Sequence, residues 1–263
     1  MIDYHVHSSF SADCEAPMIN MARAARDLKI TELCFTEHVD IDAPGEKVFV
    51  ADLAAYRAEF LKVQSAFPNL NMRFGVEAGL WPDVFKQTQA LLEGHPLDYV
   101  IGSQHLIFGL DPYHNEIWKR YSQREIYDEY LRISMVCAAS FDYYDVFGHL
   151  GYVGKFCPYN DKLLAFSSYT DAIDELLKTL VRKGKGLEVN TSGLVMTPST
   201  MPETRIIERF KQLGGEIITI GSDAHRESAV GYAVPDTLRK LKAVGFRYVC
   251  AFDNRKPRFL PIP

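Results

Sequence analysis

The chain has 263 residues, 47% hydrophobic and 24% charged, enough apolar material for one large α/β core or two small ones. Its 29 basic and 34 acidic residues leave a net charge of −5 with no run of Lys or Arg, which argues against nucleic acid as a partner. Five scattered cysteines without a CxxC pair, and no apolar stretch near the roughly 20 residues that cross a bilayer, point to reduced thiols, a cytoplasmic setting and no membrane segment.

Residues 2–7 read as a first strand, yet they carry His5 and His7 where inward positions normally take Val, Ile or Phe, with Asp13 just beyond. "MINMARAARDLK" (18–29) then spaces Met18, Met21, Ala22, Ala25 and Leu28 as one helix face. Strand two (32–38) ends in "TEH", with Glu37 and His38; strand three (71–79) carries Glu77. Strand four (98–106) contains "GSQH" and His105, and strand five (144–150) ends at His149. "DAIDELLKTLVRKG" (171–184) is an amphipathic helix closed by a Gly stop signal. Strand six (186–192) supplies Glu188, Asn190, Thr191 and Ser192, and "PETRIIERFKQLGG" (202–215) is a further helix closed by Gly. Strand seven (216–222) leads into Asp223 and His225, and residues 247–252 form a weaker eighth strand.

Regular β–α alternation implies parallel strands with right-handed crossovers. Seven or eight such units suit a TIM-like barrel better than an open sheet, in one domain over residues 1–263. In such a barrel the carboxyl ends of the strands share one face, where active sites lie. Six of the eight histidines then converge on that mouth, and only His95 and His114 fall in loops, as surface residues. A His at one strand end is ordinarily a hydrogen-bonded core or loop residue. Five strands ending in His, with Glu or Asp at others, are costly to bury without a cation.

Imidazole and carboxylate without thiolate suit zinc, manganese or iron. Nine candidate ligands (His5, His7, Asp13, His38, Glu77, His105, His149, Asp223 and His225) exceed one tetrahedral ion. Two to three divalent ions sharing a carboxylate are implied, an arrangement suited to in-line phosphoryl displacement. "GYVGK" is not a P-loop, because Lys155 is followed by Phe156 and no Gly stands at 149. A Cys nucleophile loop, an aspartyl-phosphate motif and GxSxG are absent as well.

In order, "DYHVHSSFSAD", "CFTEH", a strand-borne Glu, "GSQH", "FGHLGYV", "LEVNTSGL" and "GSDAH" resemble the polymerase-and-histidinol-phosphatase (PHP) superfamily, most closely its histidinol-phosphate phosphatase branch. The resemblance covers essentially the whole chain. It implies a distorted (β/α)7 barrel and a metal-dependent phosphomonoesterase making L-histidinol from its phosphate. One metal would take His5, His7, Glu77 and Asp223; a second would share Glu77 with His105 and His149; a third would take Asp13, His38 and His225. Glu77, Asp223 and His225 are then the catalytic candidates, the last two as proton managers.

The phosphate also needs protein cations, for which Lys155 and Arg226 are the candidates. Some relatives carry Arg where this chain has Lys155 and Val39. An ammonium-bearing substrate calls for acidic groups at the mouth, for which Glu37, Asp40, Asp42 and Asp111 are available. The competing readings are a related phosphoesterase for a nucleotide or other small ester, an amidohydrolase-type metal enzyme, and a non-catalytic metal-binding module. The amidohydrolase reading fits less well, because "GSQH" stands where a bridging Lys is often found.

Overall fold

The computed structural model describes residues 1–263. Seven parallel strands follow one another in space as in sequence: β1 (Ile2–Val6), β2 (Glu32–Val39), β3 (Asn71–Gly79), β4 (Tyr99–Ser103), β5 (Val146–Phe147), β6 (Gly186–Asn190) and β7 (Ile218–Gly221). The sheet closes on itself just past β7, where Val6 bridges Ala224 in parallel. Asp223 N–H donates to the His5 carbonyl at 2.8 Å, and His7 N–H donates to the Ala224 carbonyl at 3.0 Å. The result is the expected TIM-like (β/α)7 barrel.

Helices cover the outside, so the strands are buried on both faces; every residue of β1 and β2 is buried. The helix Leu53–Ala66 is capped by Asp52, whose side chain accepts from the Ala54 and Ala55 amides. The helix Gln123–Ser140 starts with a Ser122/Glu125 capping box. The helix Thr170–Arg182 stops as its sequence indicates, with Gly184 at φ +64°. A single cluster of 71 buried apolar residues runs from Ile2 to Ile262.

Two elements differ from the sequence expectation. The fifth strand shrinks to Val146–Phe147, leaving His149 on the loop beyond it. The segment expected as an eighth barrel strand is β8 (Tyr248–Asp253), which pairs antiparallel with an unanticipated β9 (Lys256–Pro261). Their two-residue turn has Asn254 at φ +49° and Arg255 at φ +65°, the positive dihedrals that tight hairpins require. This hairpin seals the amino-terminal end of the barrel. Phe252 N–H donates to Tyr4 Oη (3.0 Å), Arg255 pairs with Asp145 (2.6 Å) and Arg258 with Glu32 (2.5 Å). The opposite end stays available for chemistry.

Candidate metal centre

Side chains alternate along a strand, so His5 and His7 on β1 turn the same way, and their Nε2 atoms stand 3.0 Å apart. Close passage of β7 against β1 brings Asp223 beside them. That passage requires glycine at 221, because a Cβ there would overlap the Cβ of His5. Asp223 itself sits at φ +55°, an uncommon conformation for a non-glycine residue and one that short Asp side chains tolerate.

Glu77, on β3 and 2% exposed at its side chain, ties the site together. Its Oε2 lies 3.1 Å from His5 Nε2, 3.5 Å from His7 Nε2 and 3.3 Å from His38 Nδ1. Its Oε1 lies 2.6 Å from His149 Nε2 and 3.2 Å from His105 Nε2. Asp223 Oδ1 completes the first group, 3.6 Å from His5 Nε2 and 3.4 Å from His7 Nε2.

A tetrahedral ion with ligands at roughly 2.0–2.1 Å has ligand–ligand edges of about 3.3–3.4 Å. The five edges measured among His5, His7, Glu77 and Asp223 run from 3.0 to 3.6 Å, so these donors fit such an ion. His38, Glu77 and His105 form another group of converging donors, and His7, His38 and His225 a third. Asp13 joins this last region from the open side, 3.5 Å from His38 Nε2 and 3.2 Å from His225 Nε2. These His and Glu groups fit divalent metal binding, with His7, His38 and Glu77 each belonging to more than one group.

The outward-facing ring nitrogens explain why the Nε2 atoms point inward. His5 Nδ1 donates to Glu188 (2.5 Å), His7 Nδ1 to Ser11 Oγ (3.1 Å), His105 Nδ1 to Asp40 (2.5 Å) and His225 Nδ1 to the Asp223 carbonyl (3.0 Å). Ser11 must accept from His7, because its own hydroxyl donates to Glu37 (2.6 Å). Each anchored Nδ1–H leaves a lone pair on Nε2, the tautomer that ligates a metal. At 3.0 Å, the facing lone pairs of His5 and His7 need a cation or an extra proton between them.

Electrostatics point the same way. Burial disfavours a charged His5, but the Glu188, Glu77 and Asp223 carboxylates outweigh it and raise its pKa well above the usual value. Burial, reinforced by the charges of His225 and His38, lowers that of His7 to about 3. Burial alone would raise the Glu77 pKa; charged His5, His38 and His105 instead hold it well below the ordinary carboxylate range. Positive charge beside Glu77 therefore keeps this buried carboxylate ionised.

Asp40 and Glu188 hold histidines of the donor cluster, a role the sequence reading did not give them. Asp40, one of the acidic groups available for the mouth, is buried, with Oδ1 on His105 and Oδ2 3.2 Å from His38 Nδ1. Its spacing of two from His38 on an extended segment was the available signal. Glu188 is buried and also accepts from the His149 amide at 2.7 Å. Glu37, likewise expected at the mouth, points the other way and is buried against Ser8 (2.5 Å) and Ser11, pinning the loop before Asp13.

Lys155 lies at the cluster, its Nζ 3.3 Å from both Asp223 Oδ2 and Ser192 Oγ. Arg226 is exposed and forms no ion pair. Asp42 is exposed, as is His114, whereas His95 is half-buried rather than a surface residue.

Comparison with known proteins agrees with this geometry. The PHP domain model matches residues 3–192. A probable histidinol-phosphatase of Clostridium acetobutylicum is 31% identical over 98% of this chain and 99% of its own. The histidinol-phosphatase of Lactococcus lactis is 32% identical over 97% of this chain and 95% of its own. The crystal structure of the Lactococcus lactis histidinol phosphate phosphatase, complexed with zinc, L-histidinol and phosphate, superposes with a TM-score of 0.92 at 31% identity, covering 98% of each chain. Since the family model takes in most of the barrel and the likeness to these relatives runs from end to end, the chain belongs to the PHP domain family.

Proposed function

We propose that this protein is a metal-dependent phosphomonoesterase that hydrolyses L-histidinol phosphate to L-histidinol and phosphate, a step of histidine biosynthesis. The observation that carries the reading is the division of Glu77: one oxygen serves His5, His7 and His38, the other His105 and His149. A carboxylate so divided suits two cations, and the donors around His225 and Asp13 suit a third. The full-length similarity to proteins named histidinol-phosphatase supports the substrate.

Two to three ions of zinc, manganese or iron would be held by His5, His7, Asp13, His38, Glu77, His105, His149, Asp223 and His225. When bound, divalent ions acidify water and neutralise charge on phosphoryl oxygens, the demand of a reaction that is extremely slow unaided. The chain's own groups orient and hold. Ser192 and Lys155 hold Oδ2 of Asp223, which aims Oδ1 at His5 and His7. Lys155, half-buried beside the donors, can pair with a phosphoryl oxygen; Arg226 is exposed and forms no ion pair with the donors. With Nδ1–H of His225 committed to a carbonyl, any proton that this ring exchanges passes through Nε2, next to Asp13.

The continuous core supports one domain over residues 1–263. No helix is long and apolar enough to cross a membrane. All five cysteines are buried and unbridged, which supports a reducing, cytoplasmic setting.

A phosphate-release screen of small phosphomonoesters with zinc or manganese tests the function. L-Histidinol phosphate should be turned over best, with loss on chelation and recovery on metal return. Strong preference for a nucleotide would overturn the histidine-pathway reading and leave the metal phosphoesterase standing.

A further inference from the structure

Four carboxylates lie near enough in sequence to the strand ends to meet an ammonium group, and the structure removes two of them. Glu37 is spent on Ser8 and Ser11, and Asp40 on His105 and His38. Asp42 is exposed and its side chain forms no hydrogen bond to the donor cluster. Asp111 is different. It is half-buried on the loop after β4, and no Lys or Arg pairs with it. Its Oδ1 accepts from the Tyr113 amide (2.8 Å) and the Tyr152 hydroxyl (3.3 Å), while Oδ2 has no partner in the chain.

Tyr152 connects this carboxylate to the metal donors. Its ring centroid is 5.1 Å from those of both His105 and His149, and its hydroxyl reaches Asp111. Phe156 packs edge-on against Tyr152 at 5.2 Å, and Tyr113 against Phe156 at 5.4 Å. Aromatic faces beside an unpaired carboxylate attract an organic cation, and flat rings stack on them. The helical turn Tyr152–Lys155 carries both poles: residues three apart share a helix face, so both side chains turn to the donor cluster, Lys155 meeting Asp223 and Tyr152 meeting His105 and His149.

Resting on the phosphatase reading above, we propose that Asp111 and Tyr152, with Phe156 and Tyr113 closing the far side, form the subsite for the leaving group, selecting an alcohol that bears an ammonium and a flat ring. Asp111 pairs with the ammonium through its free oxygen. Tyr152 offers the ring a stacking face and fixes the carboxylate. Lys155 serves the phosphoryl end and does not distinguish leaving groups.

The test is steady-state kinetics of the metal-loaded enzyme on L-histidinol phosphate, its desamino analogue and p-nitrophenyl phosphate. Asp111→Asn should lower kcat/KM for L-histidinol phosphate by roughly 10- to 100-fold, the scale of one lost charged contact. The loss on the other two esters should be at least about ten-fold smaller, so the preference for the amine collapses. Lys155→Ala should lower all three by similar factors. Metal content, measured alongside, should be unchanged in Asp111→Asn. Equal losses on all three esters for Asp111→Asn, or no loss on any, would overturn the subsite while leaving the phosphatase intact. A wild-type enzyme that favours p-nitrophenyl phosphate over L-histidinol phosphate would overturn the function itself, and the subsite with it.

Discussion

Each oxygen of Glu77 faces a different set of imidazoles, and that division gives this one side chain its influence. Glu77→Gln keeps the shape but removes the negative charge between two cations. Metal content should fall, and kcat should drop by at least about 10²-fold, the scale of a lost charge-stabilising group. Wild-type kcat and metal content would reduce Glu77 to a buried strand-end carboxylate. Glu188 acts one layer out, holding His5 Nδ1 and the His149 amide. Glu188→Gln should weaken metal affinity by roughly 10- to 100-fold without unfolding the chain. A metal titration that matches wild type would contradict this role. Most of the donors were legible because they stand in or just beyond apolar strand segments, where only a cation or a buried pair satisfies them. The residues that aim them were not. His105 and Asp40 are 65 positions apart and His5 and Glu188 183 apart, so only the closed barrel brings them together.

At the scale of elements, the site depends on how tightly β7 passes β1. Gly221→Ala would place a methyl group on His5, so we expect metal binding and thermal stability to fall together. Retention of both would mean that the strands separate easily there. The hairpin β8–β9 does the converse work, sealing the far end. Phe252 is buried and packs against Tyr99, their rings tilted by 36° with centroids 4.9 Å apart. Phe252→Ala should destabilise the fold by about 3–5 kcal/mol in denaturant unfolding, with metal content in the folded protein unchanged. A loss below 1 kcal/mol would show that the hairpin is peripheral. All seven barrel strands were readable, six of them from apolar runs with candidate ligands at or just beyond their ends, and the helix stops from their glycines. β9 was not, because Pro257 and Pro261 obscure the strand pattern. The brevity of β5 was also hidden, since pairing ends before the apolar run does.

For the molecule as a whole, the two barrel ends divide stability from function. The amino-terminal end is closed by ion pairs joining Glu32 to Arg73 and Arg258, and Asp145 to Arg255. The carboxyl end concentrates imidazoles and carboxylates whose charges balance only around cations, with Lys155 and the Asp111–Tyr152 wall beside them. The central claim is that these nine donors form one shared cluster and not a single mononuclear site. Titrating zinc or manganese into metal-free protein, while following phosphate release from L-histidinol phosphate, tests it directly. Activity should be absent without metal and should rise to a break at two to three equivalents per chain. A break at one equivalent, or full activity in the metal-free protein, would contradict the shared cluster.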